Sequence, residues 1–368
     1  MSTLRIAEDD VINISSDRMY SFILPGQVRD ARVGLEEAEA AERYGLGGIF
    51  LSERWESKEL GSMMGALTQV TRTTQLVAGL THFGTRHPLV QAGMAQTLQT
   101  LSGNRFVLGY GRGVPSEFRK LGIPIPNLQG IADHVAILRA LWAGETVRYS
   151  GSAGNYPEMQ LPYGCESPPP LLIGTTGPKT LALAGRCFDG VVLHPFLTVE
   201  GVARSIRIVR EAAVEAHRDP DEIKIYATVV TVPDTLPPEL RSDALEARAV
   251  SYFMHREVGL PIVQANGWSE VPLFRLLESG LSQFEYGAGE PAEKRRRMAE
   301  AARLLPREWL TEGAASGSIA GCIERLSQYL AAGADYILLH GTRPQQQIDI
   351  IDGLKKANSL DMDHRAGL

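Results

Sequence analysis

From residue 19 onward, short runs of aliphatic and β-branched residues alternate with longer stretches in which apolar positions recur every three or four residues. The first pattern is that of a buried strand and the second that of a helix lying against it. The first run covers 19–24; after Pro25-Gly26 a helix is predicted over 29–44, with Val33, Leu35, Ala38 and Ala41 on its apolar side and Gly45 and Gly47 closing it. Strands two to four are predicted at 48–52, 75–81 and 105–111, with helices over 60–70, 88–101 and 131–143. Strands five to seven fall at 170–174, 189–193 and 223–232, with helices over 178–186 and 199–217 between them. Helix seven, strand eight and helix eight follow at 318–332, 335–340 and 345–357.

Two stretches interrupt the alternation. Residues 145–163 read as a small hairpin before strand five, and 233–310, with helical stretches at 242–258 and 292–305 and no clear strand, read as a mostly helical insertion. Eight strand–helix pairs predict an α/β fold of the (β/α)8 TIM-barrel type; an open doubly wound sheet with a helical second domain is the alternative. Residues 1–17 read as a loose extension and 18–368 as one barrel domain carrying both insertions.

Composition narrows the class. With 44% hydrophobic and 22% charged residues the chain has the apolar material for a large core and too little charge for disorder. A net charge of −6 supplies no field for nucleic acid or anionic lipid, and no run reaches the roughly 18 apolar residues of a membrane span, so a small-molecule partner is expected. Cys165, Cys187 and Cys322 lack CxxC spacing, which argues against a disulfide framework or a cysteine zinc site and fits a reducing cytoplasm. Cys187 reads as a packing residue.

In a barrel the chemistry sits at the C-terminal ends of the strands. Those positions hold Ser52-Glu53-Arg54-Trp55, Thr81-His82, Gly109-Tyr110-Gly111-Arg112-Gly113, Gly174-Thr175-Thr176-Gly177, His194 and His340. The turn at Gly174 to Gly177, with Lys179 just beyond, places backbone N–H groups and two hydroxyls at a helix start, where a phosphate is held; a tight turn also uses glycine. Glycine at 109, 111 and 113 lets a flat ring or a phosphate approach the backbone, but Val114-Pro115-Ser116 is not the continuation of a dinucleotide fingerprint. Strand one has no His-x-His pair, so no metal is expected.

Taken together these residues resemble the bacterial luciferase-like superfamily, in particular its coenzyme F-420-dependent (deazaflavin) branch. The resemblance is carried by AEAAERYGLGGIFLS followed by Glu53-Arg54, by Arg86-His87-Pro88, LSGNRFVLGYGRG, LRALW and PPLLIGTTG, by Ala184-Gly185 and Asp189-Gly190, and by 331–340. It implies a reduced flavin-type ring lying across the strand ends with its phosphate in the turn after strand five, and a non-proline cis peptide, here Gly79-Leu80, supporting the ring. In deazaflavin-binding relatives an acidic residue and a histidine follow the residue matching Ser52; this chain has Glu53 and then Arg54. Arginine stays charged at neutral pH and cannot serve as an acid or base. Arg54 would then hold an anionic group while His82 or Glu53 handles a proton, or Glu53 and Arg54 would simply pair.

The resemblance implies hydride transfer between coenzyme F-420 and a small organic substrate. An FMN-dependent monooxygenase and a non-catalytic coenzyme carrier are the alternatives, the second kept open by Arg54. A homodimer is implied as well. Residues 233–310 lie outside the resemblance, where substrate selection is expected. Lys294-Arg295-Arg296-Arg297 would meet the polyglutamate tail of the coenzyme or form a solvated face.

Overall fold

The computed structural model describes residues 14–26, 28–55, 57–281 and 291–366. The first half alternates as the pattern predicts: β1 (Met19–Phe22), α1 (Val33–Tyr44), β2 (Gly48–Leu51), α2 (Leu60–Val70), β3 (Gln75–His82), α3 (Pro88–Ser102) and β4 (Phe106–Gly111). Then come α4 (Pro115–Leu121), α5 (Leu128–Trp142) and the hairpin β5 (Val147–Gly151) and β6 (Gly154–Met159). The second half runs β7 (Leu171–Thr175), α6 (Pro178–Cys187), β8 (Gly190–Leu193), α7 (Val199–Glu215) and β9 (Lys224–Pro233). After it come α8 (Pro238–Ser242), α9 (Arg248–Phe253), α10 (Arg256–Asn266), α11 (Val271–Glu278), α12 (Pro291–Ala302) and α13 (Arg307–Glu312). The chain closes with β10 (Ala314–Gly317), α14 (Ile319–Ala331), β11 (Tyr336–His340) and α15 (Ile348–Ala366).

Eight strands pair in the cyclic order β1, β2, β3, β4, β7, β8, β9, β11, every pair parallel, and β11 returns to β1 with Met19 opposite Ile337. This is the closed (β/α)8 barrel rather than an open doubly wound sheet. The hairpin β5–β6 is antiparallel and separate from the barrel.

Three features depart from the pattern. β10 is a short additional strand alongside the far end of β9, from Ala314 opposite Val230 to Gly317 opposite Pro233; its sequence, Ala-Ala-Ser-Gly, has none of the β-branched residues that mark a strand. α4 follows β4 where only a loop was expected. The helix expected over 242–258 is divided: residues 243–247 form a π-helical turn, α9 follows, and His255 takes an extended conformation before α10.

Inside the barrel, Tyr20, Phe50, Val77, Val107, Leu172, Val192, Tyr226 and Leu338 form one buried layer, a residue from each strand. The Tyr20 and Tyr226 hydroxyls donate to the Gln75 side chain at 2.8 and 3.3 Å, which satisfies polar groups at the lower end. Two residues further along each strand the same face reaches the C-terminal mouth. That step places Phe22, Ser52, Gly109, Gly174, His194, Thr228 and His340 around it. At the other end of the chain's first segment Ile14 is buried in the core, while residues 1–13 lie outside the described part.

Candidate functional site

β3 sets the floor of the mouth. Its register against β4 shifts between Ala78 and Thr81, and within this bulge the Gly79–Leu80 peptide is cis, as the resemblance implied. A Cβ on Gly174 would fall 2.2 Å from a Leu80 methyl, and one on Gly109 would fall 2.9 Å from the other and 2.3 Å from the Ala78 carbonyl. The glycines of β4 and β7 therefore leave room for the Leu80 side chain. What approaches the mouth from above meets Leu80 instead of bare backbone at Gly109 and Gly174. A Cβ on Gly111 would also fall 3.3 Å from a Leu80 methyl.

The β2 end is locked by charge. Glu53 donates its backbone N–H to the Leu80 carbonyl, and its carboxylate, with no exposed side-chain surface, accepts from the Thr81 hydroxyl and from both terminal nitrogens of Arg86. Arg86 also reaches Glu59, the N-cap of α2. Burial opposes the Glu59 charge, but the N–H and hydroxyl of Ser62 together with Arg86 outweigh it and hold the carboxyl down at about 2. Glu53 thus pairs with Arg86 and not with Arg54. Arg54 and Lys58 exchange backbone hydrogen bonds, at 3.2 and 2.7 Å. The buried Lys58 ammonium donates to the Leu24 carbonyl, and the Leu24 N–H donates to Glu37 at 2.6 Å, fixing the rim after β1.

His82 lies between the Phe118 ring of α4, edge-on with centroids 5.1 Å apart, and Trp55 at 5.7 Å. Burial pushes its pKa below the ordinary histidine value, although the Gly111 carbonyl, 3.4 Å from Nδ1, acts the other way. It is a neutral member of an aromatic wall on the β2–β4 side.

The turn after β7 fits a phosphoryl group. Thr176 is 7% exposed and its hydroxyl oxygen is buried without a hydrogen-bond partner. Gly177, the N-cap of α6, faces open space where a Cβ would stand. Thr175 is half-buried at the end of β7 and Lys179 is exposed on the first turn of α6. A buried hydroxyl with no partner, beside a helix start with nothing packed on it, matches what a phosphate oxygen requires.

Opposite this wall, the Tyr252 hydroxyl of α9 stands 2.8 Å from Nε2 of His340, and the His194 ring meets Tyr252 edge-on at 4.8 Å. Burial holds His194 down at about 4 and His340 well below the usual value, the latter helped by the neighbouring Arg248 charge. Both histidines were visible as strand-end residues, but Tyr252 belongs to the insertion and no motif marks it. Of the basic run on α12, Arg296 pairs with Glu300 at 2.6 Å and Arg297 donates to the Gly280 carbonyl, while the side chains of Lys294 and Arg295 lie outside the described residues. Cys187 donates to the Leu183 carbonyl and burial pushes its thiol up to about 11, an inert packing residue. Among the described residues no cluster of three His, Cys, Asp or Glu is placed to hold a metal ion, and no helix is long and apolar enough to cross a membrane.

A closed (β/α)8 barrel with a bulged third strand flooring its mouth is the class that this geometry defines. The chain belongs to the luciferase-like monooxygenase family, whose model matches residues 20–336. It is 27% identical over 194 residues to a 5,10-methylenetetrahydromethanopterin reductase of Methanolobus tindarius, covering 52% of this chain and 58% of that one. It is 30% identical over 165 residues to a coenzyme F-420-dependent glucose-6-phosphate dehydrogenase of Microbacterium testaceum, covering 41% and 49%. The chain thus spans about half the length of the curated relatives it matches. The fold is that of the coenzyme F-420-dependent tetrahydromethanopterin reductase of Methanopyrus kandleri, with a TM-score of 0.74, 18% identity, and coverage of 91% of this chain and 96% of that one.

Proposed function

We propose that this protein transfers hydride between coenzyme F-420 and a small organic substrate. The observation that carries the reading is the pairing of an apolar floor at Leu80 with a phosphate-shaped turn, in which the Thr176 hydroxyl is buried without a partner and Gly177 is uncovered. The coenzyme F-420-dependent relatives support it. Bound coenzyme would supply the hydride chemistry; the chain's work is to hold and orient. Leu80 would support one face of the ring, Thr176 and the start of α6 would hold the phosphate, and Trp55, His82 and Phe118 would exclude water on one side.

A second reading, an FMN-dependent monooxygenase, is favoured by the description of the matching family and needs the same floor and turn. Titrating the purified protein separately with coenzyme F-420 and with FMN, followed by fluorescence quenching, decides between them. Binding of the deazaflavin alone supports hydride transfer, preference for FMN moves the protein to oxygenation, and binding of both without turnover leaves the carrier. By the resemblance we also expect a homodimer, which light scattering tests. The three free cysteines suit a reducing cytoplasm.

A further inference from the structure

The insertion carries a positive charge onto the β8–β11 rim with no carboxylate to meet it. The π-helical turn at 243–247 packs on the end of β11, where a Cβ on Gly341 would fall 2.9 Å from the Ala244 carbonyl. α9 starts from that turn with Arg248, half-buried, whose charge bears on His340. Nε of Arg248 is buried without a hydrogen-bond partner, and among the described residues no ion pair holds its guanidinium. Other arginines of the rim differ in this: Arg86 meets Glu53 and Glu59, and Arg343 meets Glu37.

Neutral donors stand beside this charge. His194 and His340 lie two residues beyond the inward-facing Val192 and Leu338, on the strands either side of β9, and so point into the mouth. Nδ1 of each is buried without a hydrogen-bond partner. Nε2 of His340 is engaged by the Tyr252 hydroxyl at 2.8 Å, and Tyr252 lies four residues after Arg248 on the same face of α9. Burial keeps both imidazoles neutral, so each carries one N–H. With that N–H on Nδ1, His340 presents a buried donor that no described residue accepts.

Unmet buried donors beside a cation describe a site for an oxyanion. Charge selects among oxyanions. Arg248 supplies one positive charge and the neutral histidines none, so a carboxylate balances the site, whereas a phosphate dianion would bring one negative charge more than these residues answer. A guanidinium also matches the two carboxylate oxygens as a fork. The neighbouring rings are apolar, with Phe22 edge-on to His340 at 5.3 Å and Phe196 to Tyr252 at 6.1 Å. Their low dielectric strengthens a charge-assisted hydrogen bond and suits a carboxylate on a hydrocarbon body.

We propose that Arg248 and His340, with His194 beside them, bind a carboxylate of the substrate, so that the compound exchanging hydride is a carboxylic acid whose reactive group lies at another carbon; this rests on the hydride-transfer reading above. The insertion then selects the substrate by its charge.

The test is calorimetric titration of the whole chain at pH 8 with benzoate, with benzamide, its neutral counterpart of nearly the same shape, and with phenyl phosphate, a dianion at that pH. Benzoate should bind about tenfold or more tighter than benzamide, the margin of a charge-assisted hydrogen bond, and tighter than phenyl phosphate. Arg248→Met should remove the preference for benzoate over benzamide while coenzyme F-420 affinity stays at its wild-type value. His340→Asn, which still presents an N–H near the Nδ1 position, should keep more of the preference than His340→Leu, a split that lost packing would not produce. Benzoate binding by wild type that is absent or no tighter than benzamide binding overturns the proposal, and this reading needs no variant to fold. Preference for phenyl phosphate overturns the charge match and with it the carboxylate. If Arg248→Met loses as much affinity for the coenzyme as for benzoate, the anion held there is the coenzyme's own and the substrate assignment is overturned. Selective benzoate binding by a protein that binds neither coenzyme F-420 nor FMN supports the carboxylate site and overturns the hydride-transfer reading instead.

Discussion

The two sides of the barrel mouth are built by opposite means. On the β2–β4 side, charges are neutralised among near neighbours, Glu53 with Arg86 and Arg86 with Glu59, and rings from three successive loops close over them. On the β8–β11 side the ion pair, Arg343 with Glu37 at 3.3 Å, lies toward β1, and the histidines meet a ring instead: His340 faces the hydroxyl of a tyrosine 88 residues away in sequence and His194 lies edge-on to the same ring, supplied by the insertion. The first side is a rigid support and the second an assembled one. On the proposed reading, a support that shapes the coenzyme face can stay the same while the insertion changes what is presented across from it.

The comparison breaks most directly at Arg86. Removing its charge leaves the buried Glu53 carboxyl with the Thr81 hydroxyl but without its cation, so Arg86→Met should lower the unfolding free energy by about 3–5 kcal/mol in chemical denaturation. A loss below about 1 kcal/mol, the range of an exposed pair, would show that the lock is not structural.

Acid should weaken both sides. His134, beneath β4 with Nε2 3.2 Å from the Tyr110 hydroxyl, is held by burial at about 4 against an ordinary 6.5. Its folded-state pKa is depressed, so below 6.5 the unfolded chain takes up the proton first. The stability due to neutral His134 is complete above 6.5 and is lost between 6.5 and 4, about 3 kcal/mol for such a shift. Denaturation at pH 7.5 and at pH 4.5 should differ accordingly, and His134→Gln should flatten the dependence; an unchanged slope would assign it to other groups.

A smaller effect is expected at Gly109, whose added Cβ would stand 2.3 Å from the Ala78 carbonyl. Gly109→Ala should cost about 1–3 kcal/mol and weaken coenzyme binding by displacing Leu80, and wild-type values for both would remove the floor assignment.

How far the molecule could be read in advance follows the range of its interactions. The barrel strands were legible because parallel strands buried on both faces are continuous apolar runs. The turn at Gly174 to Gly177 was legible because a helix start has a local signature, and the Gly79-Leu80 pair came through the resemblance alone. Arg86 stood in view beside His87 and Pro88, yet its partner is 33 residues away and no spacing rule links them. Gly109 and Gly174 were read as room for a ligand because Leu80, which fills that space, reaches it only through the β3 bulge. Tyr252 was illegible for a related reason: its contact with His340 joins the insertion to a strand end 88 residues further along the chain.

The smallest effect on stability should accompany a large effect on binding, at Gly177. Its φ of −70° is open to any residue and nothing lies within 4 Å of a Cβ placed there. Gly177→Val should therefore leave the unfolding free energy within about 0.5 kcal/mol of wild type, as a substitution away from packed features does. The same branched side chain would stand at the start of α6, next in sequence to the unpartnered Thr176 hydroxyl, at the place proposed above for the coenzyme phosphate. Fluorescence titration should then show coenzyme affinity reduced by about tenfold or more, the loss of a charge-assisted hydrogen bond. Unchanged affinity in a folded Gly177→Val protein would place the phosphate elsewhere on the rim, while a joint loss of stability and affinity would mean that the turn is packed in solution and its openness is not what serves the ligand.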